Sequence, residues 1–374
     1  MFKKNKEILV LDLGNSSVKV LIGKYDNNKI IIYDCFHIAI PPGIYENGKI
    51  MNMYKLKDQL EIAFREKNID VKPTICTIES SFIITREMEL PLVEKKYLRE
   101  MLGYELEQYF PIELDKYVLQ YKVVDEFFDK GIKKFRILAA LIPFEIVSSC
   151  YDLIKNLNLS PLALDIHSNA ICKLFNSEFE VNELKSLSEE TIAVIDFGYS
   201  NTNIIIIENG IYKFNKIIDF GSRNIYEIIK EQLNISYEDM NKYDNLIRNV
   251  FCLDTKIIGP ANYDHIGGTE SKPINPQRNC ELIRSNLEIL LEKINHVFNY
   301  YRSRHPNNII NIIFLYGGIA KSDKIEKYMS NAFNIETYTI DNISKIQYMD
   351  PMLKEHMSMY INLFKQKTAY EVIW

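Results

Sequence analysis

Ile8-Leu-Val-Leu-Asp-Leu-Gly14 is a nearly continuous apolar run that ends in glycine, the pattern of a strand covered on both faces. Val18–Tyr25 and Lys29–Tyr33 read as the next two strands, joined by a turn at Asp26-Asn27-Asn28, so the chain opens with a β-meander. From Thr191 the plan returns. Ile192-Ala-Val-Ile-Asp-Phe-Gly198 is a second such run, followed by Asn203–Glu208 and Ile211–Asn215 across Asn209-Gly210. Aligning Asp12-Leu-Gly-Asn-Ser16 with Asp196-Phe-Gly-Tyr-Ser200 matches aspartate, glycine and serine. Two copies with the same flanking strands point to duplicated domains that face each other.

Between the copies, the apolar spacing predicts helices over Tyr54–Lys67, Glu94–Tyr109, Phe144–Leu157 and His167–Phe179, and strands within 74–90, 117–127 and 135–142. In the second half, Arg223–Leu233 and Tyr237–Val250 read as helices. The polar stretch Asp254–Pro276 reads as a surface loop, and a long helix runs from about Arg278 to Arg304. The strand Asn311–Leu315 then leads through Gly317-Gly318 to a helix expected to be capped at Ser322, and a last helix is expected over Pro351–Lys365, packed on the first domain.

Composition fits this plan. The 374 residues are 47% hydrophobic and 25% charged, enough to bury two cores. A net charge of −5 argues against binding nucleic acid through bulk electrostatics. The six cysteines, at 35, 76, 150, 172, 252 and 280, form no C-x-x-C pair and read as reduced core residues. The apolar stretch after the basic start breaks at Asp12, too early for a signal peptide, and no run reaches the roughly 20 apolar residues of a membrane span. The expected location is the cytosol.

The chemistry centres on the two turns. A phosphate held between strands needs backbone N–H groups aimed at it, and glycine where a β-carbon would block the approach. Gly14 and Gly198 meet that need; Ser16, Ser17, Ser200 and Thr202 offer hydroxyl donors, and Lys19 a positive charge on the phosphate side. Asp12 and Asp196, at strand ends, suit Mg²⁺ held through water. One such turn alone more often just punctuates a hairpin. A third element adds to the pair: in Phe314-Leu-Tyr-Gly317-Gly318-Ile-Ala320 a strand ends in paired glycines, against which a flat adenine can lie before the next helix start.

These three elements, Asp12-Leu-Gly-Asn-Ser-Ser-Val-Lys19, Asp196-Phe-Gly-Tyr-Ser200 and Leu315-Tyr-Gly-Gly-Ile-Ala320, resemble the two phosphate motifs and the adenosine motif of the actin-like ATPase superfamily. Within it, Arg86-Glu-Met-Glu-Leu-Pro91, Leu98-Arg-Glu-Met-Leu-Gly-Tyr-Glu-Leu-Glu-Gln-Tyr-Phe-Pro111, Leu119-Gln-Tyr-Lys-Val-Val124, Ala139-Ala140 and Leu159-Ser-Pro-Leu-Ala-Leu-Asp165 resemble the type IV pilus assembly protein PilM family, related to FtsA. The resemblance implies an α/β fold, a two-domain actin-like ATPase built on a duplicated, ribonuclease H-like β-meander plus helices. The first domain is expected over 1–190 with an inserted α+β subdomain at about 76–163, the second over 191–339, and a segment 340–374 returning to the first.

It also implies an ATP-binding scaffold with Mg²⁺. The expected nucleotide set is Asp12, Gly14, Asn15, Ser16, Ser17, Lys19, Asp196, Gly198, Ser200, Asn201, Gly221, Ser222, Gly317, Gly318 and Ile319, with Asp12 and Asp196 reaching the metal through water. The implied partner is the short cytoplasmic N-terminal tail of a PilN-like inner-membrane protein, in a groove beside the insertion, with other pilus assembly components and a homo-oligomer as further associations. Recruitment to the inner face of the membrane would run through that partner. Glu94–Tyr109 offers Tyr97, Leu98, Met101, Leu102, Leu106 and Tyr109 as an apolar face, most of it expected in the core. Two stretches depart from the family. Where relatives carry an Ala-Glu-x-x-Lys clasp on the nucleoside, this chain reads Met240-Asn241-Lys242-Tyr243-Asp244. Where they end in a helix rich in Ala, Gly and Leu, Met357–Phe364 is bulky and Lys365–Trp374 has no counterpart, nor does it form the basic amphipathic membrane helix of FtsA. Turnover is therefore expected to be slow or absent. An FtsA-like polymer and a small-molecule kinase are the alternative functions.

Overall fold

The computed structural model describes residues 7–27, 29–70, 73–175, 179–184, 187–233, 276–305, 308–322, 324–356, 361 and 372–373. The expected helix Tyr237–Val250, the 240–244 clasp and nearly all of the expected loop Asp254–Pro276 lie outside these residues. The chain divides into two compact units, one of Met1–Glu189, Ile205–Asn215 and Asp341–Trp374, the other of Glu190–Ile204 and Lys216–Ile340.

In the first unit, β1 (Ile8–Leu13), β2 (Ser17–Asp26) and β3 (Lys29–Ala39) form the antiparallel meander. The small hairpin β4 (Tyr45–Glu46) and β5 (Lys49–Ile50) leads to α1 (Met53–Glu66). Asn52 caps α1 by accepting from Lys55 N at 3.0 Å, and Leu56, Leu60 and Phe64, spaced four apart, put one face into the core. Next come β6 (Pro73–Ile78), β7 (Ile84–Pro91), α2 (Lys95–Tyr109), β8 (Tyr117–Asp129), β9 (Ile132–Pro143), α3 (Phe144–Asn156), β10 (Ser160–Ile166) and α4 (His167–Cys172). β6 runs parallel to β1, and β10 parallel to β6.

β7, β9 and β8 form a separate antiparallel sheet, covered by α2 through Leu98, Leu102 and Leu106. With Met88, Leu90, Leu119, Phe135, Ile137 and Leu141 these build a core distinct from that around Leu9, Leu11, Val20, Cys76 and Leu153. The inserted layer thus has its own apolar interior, whereas β6 and β10 on either side of it belong to the main sheet. On α2 the leucines are buried and Met101 is half-buried, while Tyr97, Tyr104 and Tyr109 are exposed: the rings flank the buried stripe instead of joining it.

The second half repeats the plan with β11 (Thr191–Phe197), β12 (Thr202–Glu208) and β13 (Ile211–Ile218), then α5 (Ser222–Leu233), α6 (Pro276–Arg304), β14 (Ile312–Gly317), α7 (Ile325–Phe333) and β15 (Glu336–Thr339). Its sheet order is β13-β12-β11-β14-β15, with β14 parallel to β11. β16 (Ile346–Tyr348) and β17 (Val372–Ile373) extend the first sheet to the order β16-β3-β2-β1-β6-β10-β17.

Four expectations are corrected. Ser322 ends a 3₁₀ turn at Ile319–Lys321, and the following helix starts after Lys324, which is in the left-handed conformation and makes no side-chain cap. The helix expected over His167–Phe179 shortens to Cys172 and tightens into a 3₁₀ turn over Lys173–Phe175. Where a helix was expected from Pro351, Pro351–His356 is 3₁₀; 357–360 and 362–365 fall outside the described residues. Of the cysteines, Cys76 and Cys150 are core residues, but Cys35 and Cys172 are only half-buried.

Candidate functional site

At the end of β1 the chain reverses so tightly that Gly14 N donates to Ser17 O at 3.1 Å. A β-carbon on Gly14 would stand 3.0 Å from that same oxygen. The β1–β2 register pairs Asp12 with Lys19, and Lys19 Nζ lies 3.1 Å from Asp12 Oδ2. From the start of α4, His167 Nε2 donates to Asp12 Oδ1 at 2.6 Å. Asp12 is 1% exposed. Burial alone would raise its pKa, but the charges and hydrogen bonds of Lys19 and His167 outweigh it and hold the carboxyl well below the usual range. Gly14, Asn15, Ser16 and Ser17 are half-buried beside it.

The second turn has the same construction. Gly198 N donates to Asn201 O at 3.0 Å, and a β-carbon on Gly198 would meet that oxygen at 2.8 Å. Asp196 ends its strand as Asp12 does, bridged in parallel to Tyr316 as Asp12 is to Thr77. Here the other motif residues assemble around it. Ser222 N donates to Gly198 O at 3.0 Å and Arg223 N to Tyr199 O at 2.8 Å, while Thr202 Oγ1 donates to Phe220 O at 2.7 Å. Gly221 lies directly against the Tyr199 carbonyl, where no β-carbon fits. Asn224 Oδ1 accepts from Gly221 N at 2.9 Å, closing the start of α5.

Gly317 approaches from β14 with φ +93°, and its β-carbon would lie 2.6 Å from both Asp196 Oδ1 and Phe197 O. Gly318 N donates to Phe197 O at 3.0 Å. Three motifs far apart in sequence are thus stapled together by backbone hydrogen bonds. Ser200 Oγ is buried in this turn without a hydrogen-bond partner among the described residues, and Gly318 is exposed with ordinary φ and room for a β-carbon. The turn leaves the Ser200 hydroxyl unpaired and does not require a glycine at 318. Ile319, by contrast, is buried. Among the described residues no group of three or more His, Cys, Asp or Glu is placed to hold a metal ion. Mg²⁺ bound chiefly by phosphates needs no such cage.

A second site lies wholly in the first unit. A cavity of about 190 Å³ opens between the inserted sheet, at Gln120, Lys122 and Ala140, the β10–α4 junction, at Asp165 and Lys173, and the β12–β13 turn, at Tyr212. Its polar end is a buried ion pair, Lys173 Nζ to Asp165 Oδ2 at 2.9 Å, with side chains 4% and 1% exposed. Asp165 Oδ1 also accepts from Asn169 Nδ2 at 2.6 Å and Ile166 N at 2.9 Å. Burial and the neighbouring Lys173 charge push the Lys122 amine down. Tyr212 is fixed through its hydroxyl, which meets Thr85 Oγ1 and donates to Asn215 Oδ1 at 2.8 Å.

In sequence, His167 reads only as a helix start and Asp165 only as the end of a motif, so neither stands out as a site residue. The available signal was a pair of polar residues closing the apolar run before α4, where a strand that ends inside a core must satisfy them.

The duplicated meander on two mixed sheets, each carrying an aspartate turn, is the two-domain actin-like ATPase fold. A solved PilM–PilN type IV pilus biogenesis complex matches with a TM-score of 0.76 at 14% identity, over 96% of this chain and 97% of that one. The ethanolamine utilization protein EutJ from Carboxydothermus hydrogenoformans matches with a TM-score of 0.53 at 11% identity, over 96% and 90%. The family model for type IV pilus assembly protein PilM covers residues 10–246. The chain belongs to that family, the one its central segment resembles.

Proposed function

We propose that this chain is an ATP-binding scaffold of the type IV pilus assembly machinery, and that its cavity beside the inserted sheet receives the cytoplasmic N-terminal tail of a PilN-like membrane protein. Family membership and the cavity support this reading. At about 190 Å³ the cavity is smaller than the roughly 300–1,000 Å³ of small-molecule pockets, the size for one or two side chains of an extended peptide. A nucleotide is assigned to the aspartate turns. The orphaned Ser200 hydroxyl carries that assignment, with Ser16 and Ser17 as further donors and Gly318 leaving a flat surface for the base. Bound Mg-ATP would supply the phosphate charge that these donors meet, with Asp12 and Asp196 reaching the metal through water.

Among the described residues no helix is long and apolar enough to cross a membrane. With a partner tail that is cytoplasmic, this reading has the chain on the cytoplasmic side, recruited through that partner. Titrating a peptide of the partner's tail into the purified chain, with and without Mg-ATP, tests the scaffold reading. Micromolar or tighter binding is expected; no binding under either condition rejects it.

A further inference from the structure

Two sites described separately share one short piece of chain. Asp165 closes the polar end of the cavity, and His167, two residues on, holds Asp12 of the first aspartate turn at 2.6 Å. The strand registers make the connection lateral as well. Asp12 pairs with Thr77 on β6, and Thr77 with Asp165 on β10, so the three lie in one row across neighbouring strands, about 4.8 Å apart at each step. Every member is buried: Asp12 1%, Asp165 2%, Lys173 4% and His167 6% exposed.

None of these contacts can stretch freely. Asp165 is fixed by three donors, from Ile166 N, Asn169 and Lys173, two of them on the turn that also positions His167. A packed interior responds to a shifted group by moving to another discrete arrangement, not by gradual deformation. An occupant of the cavity that competes for Lys173 or displaces Asn169 therefore acts on the turn of chain that orients His167. His167 in turn decides how Asp12 Oδ1 is held, while Lys19 holds the other oxygen.

We propose that the cavity and the Asp12 turn are coupled: filling the cavity with a peptide side chain changes the affinity of the turn for a nucleoside phosphate, and the reverse, through Asp165-Ile166-His167. This rests on the assignment of nucleotide and partner tail above. His167 is a positioning residue in this scheme. It touches neither ligand and acts through Asp12.

The test is a linkage cycle by calorimetry on the full chain, with Mg-ATP and a synthetic peptide of the partner's cytoplasmic tail, each titrated in the absence and presence of saturating amounts of the other. Coupling predicts at least about a five-fold change in peptide affinity caused by Mg-ATP, with the same factor in the reverse direction, because linkage is reciprocal. In His167→Ala the factor should fall to within two-fold of unity. In His167→Gln, which keeps a donor, part of it should survive. A histidine with a merely structural role would weaken either ligand and leave the ratio intact. If both ligands bind the parent chain independently, within two-fold, the coupling is wrong and the scaffold reading stands. If the peptide fails to bind the parent chain, the scaffold reading falls with the coupling; if only Mg-ATP fails to bind, the nucleotide assignment and the coupling fall and the partner site stands. Should His167→Ala not fold, the parent cycle and His167→Gln decide.

Discussion

The carboxylate of Asp12 is held at both oxygens, by His167 Nε2 at 2.6 Å and by Lys19 Nζ at 3.1 Å, in a position only 1% exposed. Its consequence for stability has a definite sign. Burial alone would raise the pKa, yet the two partners bring it below the ordinary 3.8. Above about pH 5 both folded and unfolded chains carry the charge, and the stabilisation is complete. As pH falls through 3.8, the unfolded chain takes up a proton that the folded chain refuses, so stability is lost. Urea unfolding of the parent and of Asp12→Asn should show the parent's advantage shrinking by about 1 kcal/mol between pH 5 and pH 3. A pH-independent difference would show that Asp12 is not held in this way.

The Asp165–Lys173 pair makes a different prediction because neither charge reaches water. Removing one partner strands the other. Asp165→Asn and Lys173→Met should each destabilise the first unit by about 3–5 kcal/mol, whereas the double variant should cost less than the sum of the two. Thermal unfolding of the three variants measures this directly. Additive losses would mean that the two groups do not interact.

Much of the fold was legible because period and punctuation agree with it. The apolar run Ile8–Leu13 is a buried strand, and the leucines of α2 at 98, 102 and 106 keep the helical spacing that buries them. Both aspartate turns were legible because a glycine is required where the chain closes on itself at Ser17 and at Asn201. What escaped lacks a local signature. His167 matters only because β10 lies two strands from β1, a relationship set by sheet order. Ser322 looks like a helix cap, but the 3₁₀ turn that it ends takes up the strand-to-helix junction first. The two-residue strand β17 pairs with Ala163 and Leu164, and so short a segment carries no period to read.

The paired glycines separate fold from ligand. At Gly317 a left-handed φ of +93° and a β-carbon position 2.6 Å from Asp196 Oδ1 leave no place for alanine. Gly317→Ala should therefore unfold the turn, lowering the melting temperature and abolishing nucleotide binding together. Gly318 has only Phe197 O at 3.9 Å. Gly318→Ala should keep the parent's melting temperature within a few degrees while weakening ATP, because the added methyl stands where the base is proposed to lie. Equal ATP affinity in Gly318→Ala and the parent would remove the adenine assignment.

The cavity can be blocked without touching its ion pair. Ala140 lies on β9, half-buried and facing the space bounded by Gln120 and Lys122. Ala140→Phe puts a ring into a volume of about 190 Å³. Tail-peptide affinity should fall at least ten-fold, or about 1.4 kcal/mol. Thermal unfolding serves as the control for an intact fold. Unchanged peptide affinity would place the partner elsewhere on the chain.

Ser200 supplies the sharpest test of the second turn, because stability and binding should move in opposite directions. Its hydroxyl is buried without a partner among the described residues, an arrangement that costs free energy in the ligand-free chain. Ser200→Ala removes that cost, so the variant should be as stable as the parent or more so. A hydrogen bond to a charged phosphate contributes about 1.5–3 kcal/mol, so the same change should weaken ATP by about ten- to a hundred-fold. Unfolding and nucleotide titration on one preparation give both signs at once. A variant that is less stable yet binds ATP as well as the parent would mean that Ser200 serves the turn and not a ligand, and the second aspartate turn would lose its clearest claim to a phosphate.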